Sequence, residues 1–258
     1  MLSVTAPNPG PLTLEGTRTW ILGVERVAVV DPGPADEEHL ERVAAAVGER
    51  PVTAVCLTHS HADHSAAWRS AAERWGPIHA SAATLARLES GGVPLGQGDA
   101  IPLGRERSLA VHDSPGHSGD HLAFLYLPDR DLVTGDLVLG RGSSMVAHPD
   151  GSVSAYVESL ERLAALEPVR LLPGHGPVVT EAVERLREYA AHRRERTEQV
   201  RAALAAGARS LPELGAAVYG DVPAGVARAV ELSLLAHLEH LREEGHEVPR
   251  MRGSTERR

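Results

Sequence analysis

Thr58-His59-Ser60-His61-Ala62-Asp63-His64 holds three imidazoles and one carboxylate within seven residues. Upstream, Val52-Thr53-Ala54-Val55-Cys56-Leu57 is a short apolar run rich in β-branched residues, which reads as a buried strand. Downstream, Ser65-Ala66-Ala67-Trp68-Arg69 begins a helical pattern, so the histidines fall in a strand-to-helix loop. On a helix His59 and His61 diverge, because residues two apart do not share a face. In a loop they can converge on one point. Neutral imidazole is the commonest metal ligand, and an adjacent carboxylate supplies charge for a second cation.

Three more segments of the same kind follow in order. Ser114-Pro115-Gly116-His117-Ser118 comes after a strand at Leu109 to His112, Thr134-Gly135-Asp136 ends a strand at Asp131 to Val133, and Pro173-Gly174-His175-Gly176 ends a strand at Val169 to Leu172. With these in place, the His-x-His-x-Asp-His run resembles the signature of the metallo-β-lactamase superfamily, over about residues 8 to 180. Within it, Asn8-Pro9-Gly10-Pro11-Leu12-Thr13-Leu14-Glu15-Gly16-Thr17-Arg18-Thr19-Trp20 and Ser114 to His121 are similar to the branch that includes the endoribonuclease β-lactamase-like protein 2. Arg18 stands where that branch's pattern has Asn.

The resemblance implies a dinuclear site. His59, His61 and His117 hold the first metal, Asp63, His64 and His175 the second, and Asp136 bridges them. Imidazole and carboxylate donors suit two zinc ions, with iron or manganese as alternatives. The implied chemistry is hydrolysis by a metal-bridging hydroxide, with Asp63 or Asp136 orienting the water or accepting its proton. The implied substrate is a small acyl compound, an ester or thioester; the alternatives are single-stranded RNA and, with iron, a diiron oxidoreduction. A binding module with a purely structural metal is disfavoured, since structural zinc sites are usually mononuclear and closed.

Composition narrows the field. The 258 residues suffice for one large domain or for a two-layer domain with an appendage, and the 42% hydrophobic and 24% charged content is ordinary. No apolar run approaches the roughly 18 residues of a membrane span, so no membrane partner is expected. The segment Met1-Leu2-Ser3-Val4 lacks a basic stretch followed by an apolar one, and a cytoplasmic location is the expectation. The single cysteine, Cys56, excludes an intramolecular disulfide framework and a cysteine-rich zinc site, and its place in the strand assigns it to the core. All 26 basic residues are arginines, so no lysine can act as base or Schiff-base former. A net charge of −9 argues against a broad basic nucleic-acid footprint. The oligomeric state is left open.

The pattern of elements predicts an α+β fold, an αββα sandwich, over residues 1–200, with a small helical, winged-helix-like appendage over 201–258. Leu12-Thr13-Leu14 and Thr19 to Leu22 read as an opening hairpin, and Arg26 to Val30 as a third strand ending at Asp31. Asp36 caps a helix that Gly48 stops. A helix from about His64 to Trp75, a strand at Ile78 to Ala80 and a small helix near Ala82 to Leu88 follow. Residues 91–98 read as loop. Four strands between Ala100 and Val133 form an antiparallel meander, and a helix from Val153 to Leu166 precedes the last strand. Helices are expected at Thr180 to Ala206, Leu211 to Tyr219 and Val226 to Glu244, then a polar tail from Met251 to Arg258.

Several other residues carry expectations. Asp31 is placed to fix a ligand imidazole or to form a turn before Pro32. His121 is assigned a structural hydrogen bond, with a place at the rim of the site as the alternative, and His148 and Ser143-Ser144 a solvated loop, with substrate contact as the alternative. Arg18 is expected either to anchor an anionic part of the substrate or to pair with Glu15 or Glu25 on the surface.

Overall fold

The computed structural model describes residues 1–251. The expected polar tail lies, from residue 252 on, outside them. The chain lays down strands β1 (Leu2–Thr5), β2 (Arg18–Gly23) and β3 (Val27–Val30), helix α1 (Glu37–Val47), and β4 (Val52–Cys56). After helices α2 (Ala62–Ser65) and α3 (Trp68–Trp75) come β5 (Ile78–Ser81), α4 (Ala82–Arg87) and β6 (Val93–Leu95). Strands β7 (Ala100–Pro102), β8 (Ser108–Asp113), β9 (Leu122–Leu127) and β10 (Asp131–Gly135) follow. The rest is α5 (Val153–Ala165), β11 (Arg170–Pro173), α6 (Ala182–Ala205), α7 (Leu211–Tyr219) and α8 (Ala227–Glu243).

Two sheets form, one in the order β1-β2-β3-β4-β5-β6 and one in the order β11-β10-β9-β8-β7. Alternation along the strands explains how they stack. Trp20, Leu22, Ala28, Val30, Ala54 and Cys56 of the first sheet meet Leu109, Val111, Phe124, Tyr126, Val133 and Leu172 of the second in one buried cluster. The intervening residues Ile21, Val27 and Val29 face Val43 and Val47 of α1, while Val55, Leu57 and Ile78 face Leu40, Ala71 and Leu85 on α1, α3 and α4. On the far side, Ala123, Leu125, Leu132 and Leu171 pack under Tyr156, Leu160 and Leu163 of α5 and Leu186 and Tyr189 of α6. Strands buried on both faces read as continuous apolar runs, which is why β3 and β4 show little polar alternation. The result is the αββα sandwich.

A separate buried cluster joins Val200 and Ala203 of α6 to Leu211 and Leu214 of α7 and to Leu234, Leu238 and Leu241 of α8. Helix α6 therefore runs through two cores, its first half on the sandwich and its second half in the C-terminal helices. Among the described residues no helix is long and apolar enough to cross a membrane.

Four local expectations are corrected. The partner of β2 is Leu2–Thr5, and Leu12 to Leu14 is a turn whose Leu14 adopts a left-handed φ of 55°. The helix expected from His64 to Trp75 is broken into α2 and α3, because Ala67 at their junction has ψ near 7°. Residues 93–95, read as loop, pair in parallel with β5. The last helix starts at Ala227, after a tight turn at Ala224–Val226.

Candidate metal centre

The four segments that carry the candidate ligands, and Asp31 behind them, leave the sandwich at one end. β3 ends at Asp31, β4 at Thr58, the β8–β9 connection holds Ser114 to His121, β10 runs into Asp136, and β11 into Gly174-His175. This end collects loops because parallel strands β3, β4 and β5, and β10 with β11, finish there together. His59 and His61 lie in the loop after β4, as the sequence predicts, while Asp63 and His64 fall in the short helical turn α2.

The seven side chains form two groups sharing one carboxylate: His59, His61, His117 and Asp136, and Asp63, His64, Asp136 and His175. In the first, His61 Nδ1 lies 2.9 Å from His59 Nε2 and 3.0 Å from His117 Nε2. In the second, His64 Nε2 and His175 Nε2 are 3.2 Å apart, and Asp136 Oδ1 is 3.2 Å and 3.1 Å from them. Asp63 Oδ2 is 3.4 Å from His64 Nε2 and 3.2 Å from His175 Nε2. Donors about 2.0–2.1 Å from a tetrahedral ion are separated by roughly 3.3 Å, so both groups have the size of a first coordination sphere. Asp136 turns its Oδ2 toward the first group, 3.8 Å from His117 Nε2, and its Oδ1 toward the second.

Hydrogen bonds fix the tautomers and test whether these residues fit a metal. The Met145 carbonyl, 2.7 Å from His117 Nδ1, can only accept, so Nδ1 carries the proton and Nε2 a free lone pair. Asp31 Oδ2 likewise keeps a proton on His64 Nδ1, 2.9 Å away, and leaves Nε2 as the nitrogen that faces the centre. Thr58 donates its hydroxyl to Asp31 at 2.8 Å, leaving its oxygen to accept from His59 Nδ1 at 2.9 Å. His59 and His117 thus aim Nε2 lone pairs at the one Nδ1 of His61, which can donate to only one of them, and His64 turns its Nε2 to the carboxylates of the second group. Asp136 Oδ1 is itself buried without a hydrogen-bond partner. The donors fit a metal pair.

Electrostatics agree. Burial, then the neighbouring imidazoles, keeps His59 neutral well below the ordinary histidine range. Burial opposes charge on His64, but Asp136, Asp31 and Asp63 outweigh it and raise its pKa well above the usual value. For His175 burial is likewise overcome, here by the adjacent carboxylates of Asp136 and Asp63, and its pKa is pushed up to about 9. Burial favours the neutral form of Asp63, yet His64 and His175 bring it down to about 2. The second group therefore attracts positive charge.

The residues behind the ligands explain how the loops hold their shape. Asp31 accepts from the backbone of Thr58 at 2.7 Å, from its hydroxyl and from His64, so it has the imidazole-fixing role. Its φ of 54°, in the left-handed region, turns the carboxylate back over the end of β4. Gly174 is required by space: a Cβ there would lie 2.5 Å from His64 Cε1 and 2.9 Å from Asp136 Oδ1. Asp120, overlooked in the sequence, accepts from the Ser60 backbone at 3.1 Å, from Thr84 at 2.8 Å and from Arg87 at 3.1 Å, fixing the residue between His59 and His61. Thr17 was also missed. Asn8 donates to its hydroxyl at 2.9 Å, and that hydroxyl donates to Asp63 at 3.2 Å. The Asn-Pro opening is the signal that could have marked it.

The remaining expectations divide. His121 is buried with its Nδ1 2.8 Å from Ser114 Oγ, the structural bond expected, and its ring centroid is 5.0 Å from that of His59. Ser144 is buried rather than solvated, since its hydroxyl donates to the Asp136 carbonyl and the loop is covered by α6. Arg18 forms neither expected ion pair: Glu15 pairs with Arg141, and the Arg18 guanidinium lies 3.4 Å from Ser3 Oγ and 5.7 Å from the Trp20 ring centroid.

An αββα sandwich with two histidine–carboxylate groups at one loop end defines the class, a metallo-β-lactamase fold with the makings of a dinuclear centre. The chain belongs to the metallo-beta-lactamase superfamily, whose family model matches residues 13–175. A second model, the beta-lactamase associated winged helix domain, matches residues 210–246. The chain is similar to the lactamase-like protein aptB of Emericella nidulans, with 30% identity over 243 residues covering 89% of this chain and 77% of that protein. It is also similar to the beta-lactamase-like protein 2 homolog of Caenorhabditis elegans, with 28% identity covering 75% of this chain and 67% of the relative. Among solved structures, the metallo-beta-lactamase family protein TTHA1429 from Thermus thermophilus superposes with a TM-score of 0.71 and 26% identity, over 95% of this chain and 93% of that one. TTHA1623 in a di-iron-bound form superposes with a TM-score of 0.58 and 28% identity, over 71% of this chain and 96% of that one.

Proposed function

We propose that the chain is a dinuclear zinc hydrolase acting on an ester or thioester. The observation that carries this reading is the shared carboxylate: Asp136 offers one oxygen to each group of ligands, so the two sites form one centre. When bound, such a metal pair supplies electrophilic polarisation of a scissile carbonyl and water acidic enough to attack near neutral pH. Nitrogen and oxygen donors favour zinc. A similar solved protein holds two irons, which keeps iron as the competing metal.

The chain's own residues divide the remaining work. Asp136, with its side chain 14% exposed, lies between the two groups and joins them. Asp63, with its side chain 28% exposed, is the more accessible carboxylate and is ionised at neutral pH, so it is the group placed to take a proton from attacking water. Thr17 holds it in orientation.

The arginines support an acyl substrate over RNA. Of Arg185, Arg187, Arg193, Arg194, Arg196 and Arg201 on α6, five are engaged within the chain: with Glu188, with Ser144, with Glu161, with the Val218 carbonyl and with Glu198. Near the site, Arg87 is tied to Asp120 and Asp150, and Arg141 to Glu15. Guanidinium groups already matched by carboxylates offer little to a polyanion. Zinc-loaded protein screened against thioesters, lactones, phosphodiesters and single-stranded RNA is expected to turn over thioesters or lactones. Cleavage confined to RNA contradicts the acyl reading.

A further inference from the structure

Arg193 on α6 is buried, only 3% exposed, and no carboxylate pairs with it among the described residues. A buried guanidinium without a counter-ion is costly, and it persists only where its hydrogen bonds are needed. Its Nη2 donates to the Ser143 hydroxyl at 3.0 Å and to the Ser144 carbonyl, its Nε has no partner, and its Cζ lies 5.3 Å from the Tyr156 ring centroid. Ser143 to Met145 is the segment that orients the first group of ligands. The Met145 carbonyl accepts from His117 Nδ1, and the Ser144 hydroxyl, also 3.4 Å from that nitrogen, donates to the Asp136 carbonyl.

We propose that Arg193 is a positioning residue for the His59, His61, His117 and Asp136 group. By pinning Ser143 and Ser144 it holds the Met145 carbonyl where it fixes the His117 tautomer and aims Nε2 at the centre. The same stretch of α6 carries Thr197, whose hydroxyl lies 3.2 Å from the Arg193 carbonyl and 2.9 Å from His237 Nδ1 on α8. The C-terminal helices are thereby linked mechanically to one half of the site. This rests on the dinuclear reading only for its metal arm, and the tautomer of His117 is independent of it.

The test uses the full chain as wild type, Arg193→Met and Arg193→Lys, with Val200→Ala as a comparably placed α6 control. In metal-free protein, nitrogen-15 correlation spectra of the histidine rings are expected to show His117 protonated at Nδ1 in wild type and mixed between tautomers in Arg193→Met. In zinc titrations, Arg193→Met is expected to weaken one of two sites by ~10–100-fold, as removal of a ligand's hydrogen-bond support does, and to leave the other within about twofold. Arg193→Lys is expected to fall between, and it decides the matter alone if Arg193→Met does not fold. Val200→Ala is expected to lower thermal stability with both zinc affinities intact. A folded Arg193 variant with the wild-type His117 tautomer and two wild-type affinities overturns the proposal. Wild type that takes up no zinc overturns the metal reading of the site, while the His117 tautomer still decides the role of Arg193.

Discussion

Asp31 shows how much one residue outside the ligand set can decide. Its carboxylate accepts from Thr58 and His64 at once, so the strand end and the ligand ring share one anchor. Asn tolerates a left-handed backbone, so Asp31→Asn keeps the turn but removes the charge that orients His64. Zinc uptake by the second group is expected to weaken by ~10–100-fold, measured by competition with a chromophoric chelator, with secondary structure unchanged. Unaltered affinity rules out the orienting role. Asp63→Ala is expected to abolish most turnover on a substrate found by screening while the melting temperature stays near wild type, because a partly exposed residue in a one-turn helix adds little core burial. Near wild-type turnover removes Asp63 from the proton-accepting role. At this scale the segments that bring the seven candidate ligands together were legible, since each follows a strand that can be read from its apolar run. Thr17, Asp120 and Arg193 were not, because single polar residues become meaningful only when distant segments meet: Thr17 touches Asp63, and Arg193 reaches the loop after Asp136.

Among the elements, α1 was legible to its caps: Asp36 accepts from the His39 backbone at the start, and Gly48 ends it with φ of 62°. The β7 to β10 meander was equally clear. The opening hairpin was misread because Leu12 to Leu14 has strand composition while its backbone is turned, and the true strand, Leu2–Thr5, is a half-exposed edge with weak alternation. The three-residue β6 is too short to leave a periodic signal. Helices α6 and α8 meet through Thr197 and His237, and burial, with Arg193 nearby, lowers the His237 pKa to about 3. The folded chain thus resists protonating His237, whereas the unfolded chain takes up a proton near pH 6.5. The contribution of this pair is full above pH 6.5 and is lost as pH falls from there toward 3, at up to about 1.4 kcal/mol per pH unit. His237→Leu is expected to flatten the stability–pH profile between pH 6.5 and 4 in denaturant titrations. An unchanged slope means that His237 is not the group responsible.

For the molecule as a whole, two sheets closed back to back send their loops to one end, and two helical layers leave that end free. Helix α6 continues from the sandwich core into the C-terminal cluster, so the appendage shares an element with the layer beneath the site. The charge pattern fits this plan: the acidic chain concentrates two ionised carboxylates, Asp63 and Asp136, at the centre and neutralises its nearby arginines with others. The dinuclear reading places two ions at this end, sharing Asp136. Anomalous diffraction from crystals of the zinc-loaded chain, collected on both sides of the zinc edge, tests it most directly. Two peaks are expected, one among His59, His61, His117 and Asp136 and one among Asp63, His64, Asp136 and His175. A single peak, or peaks away from Asp136, contradicts it.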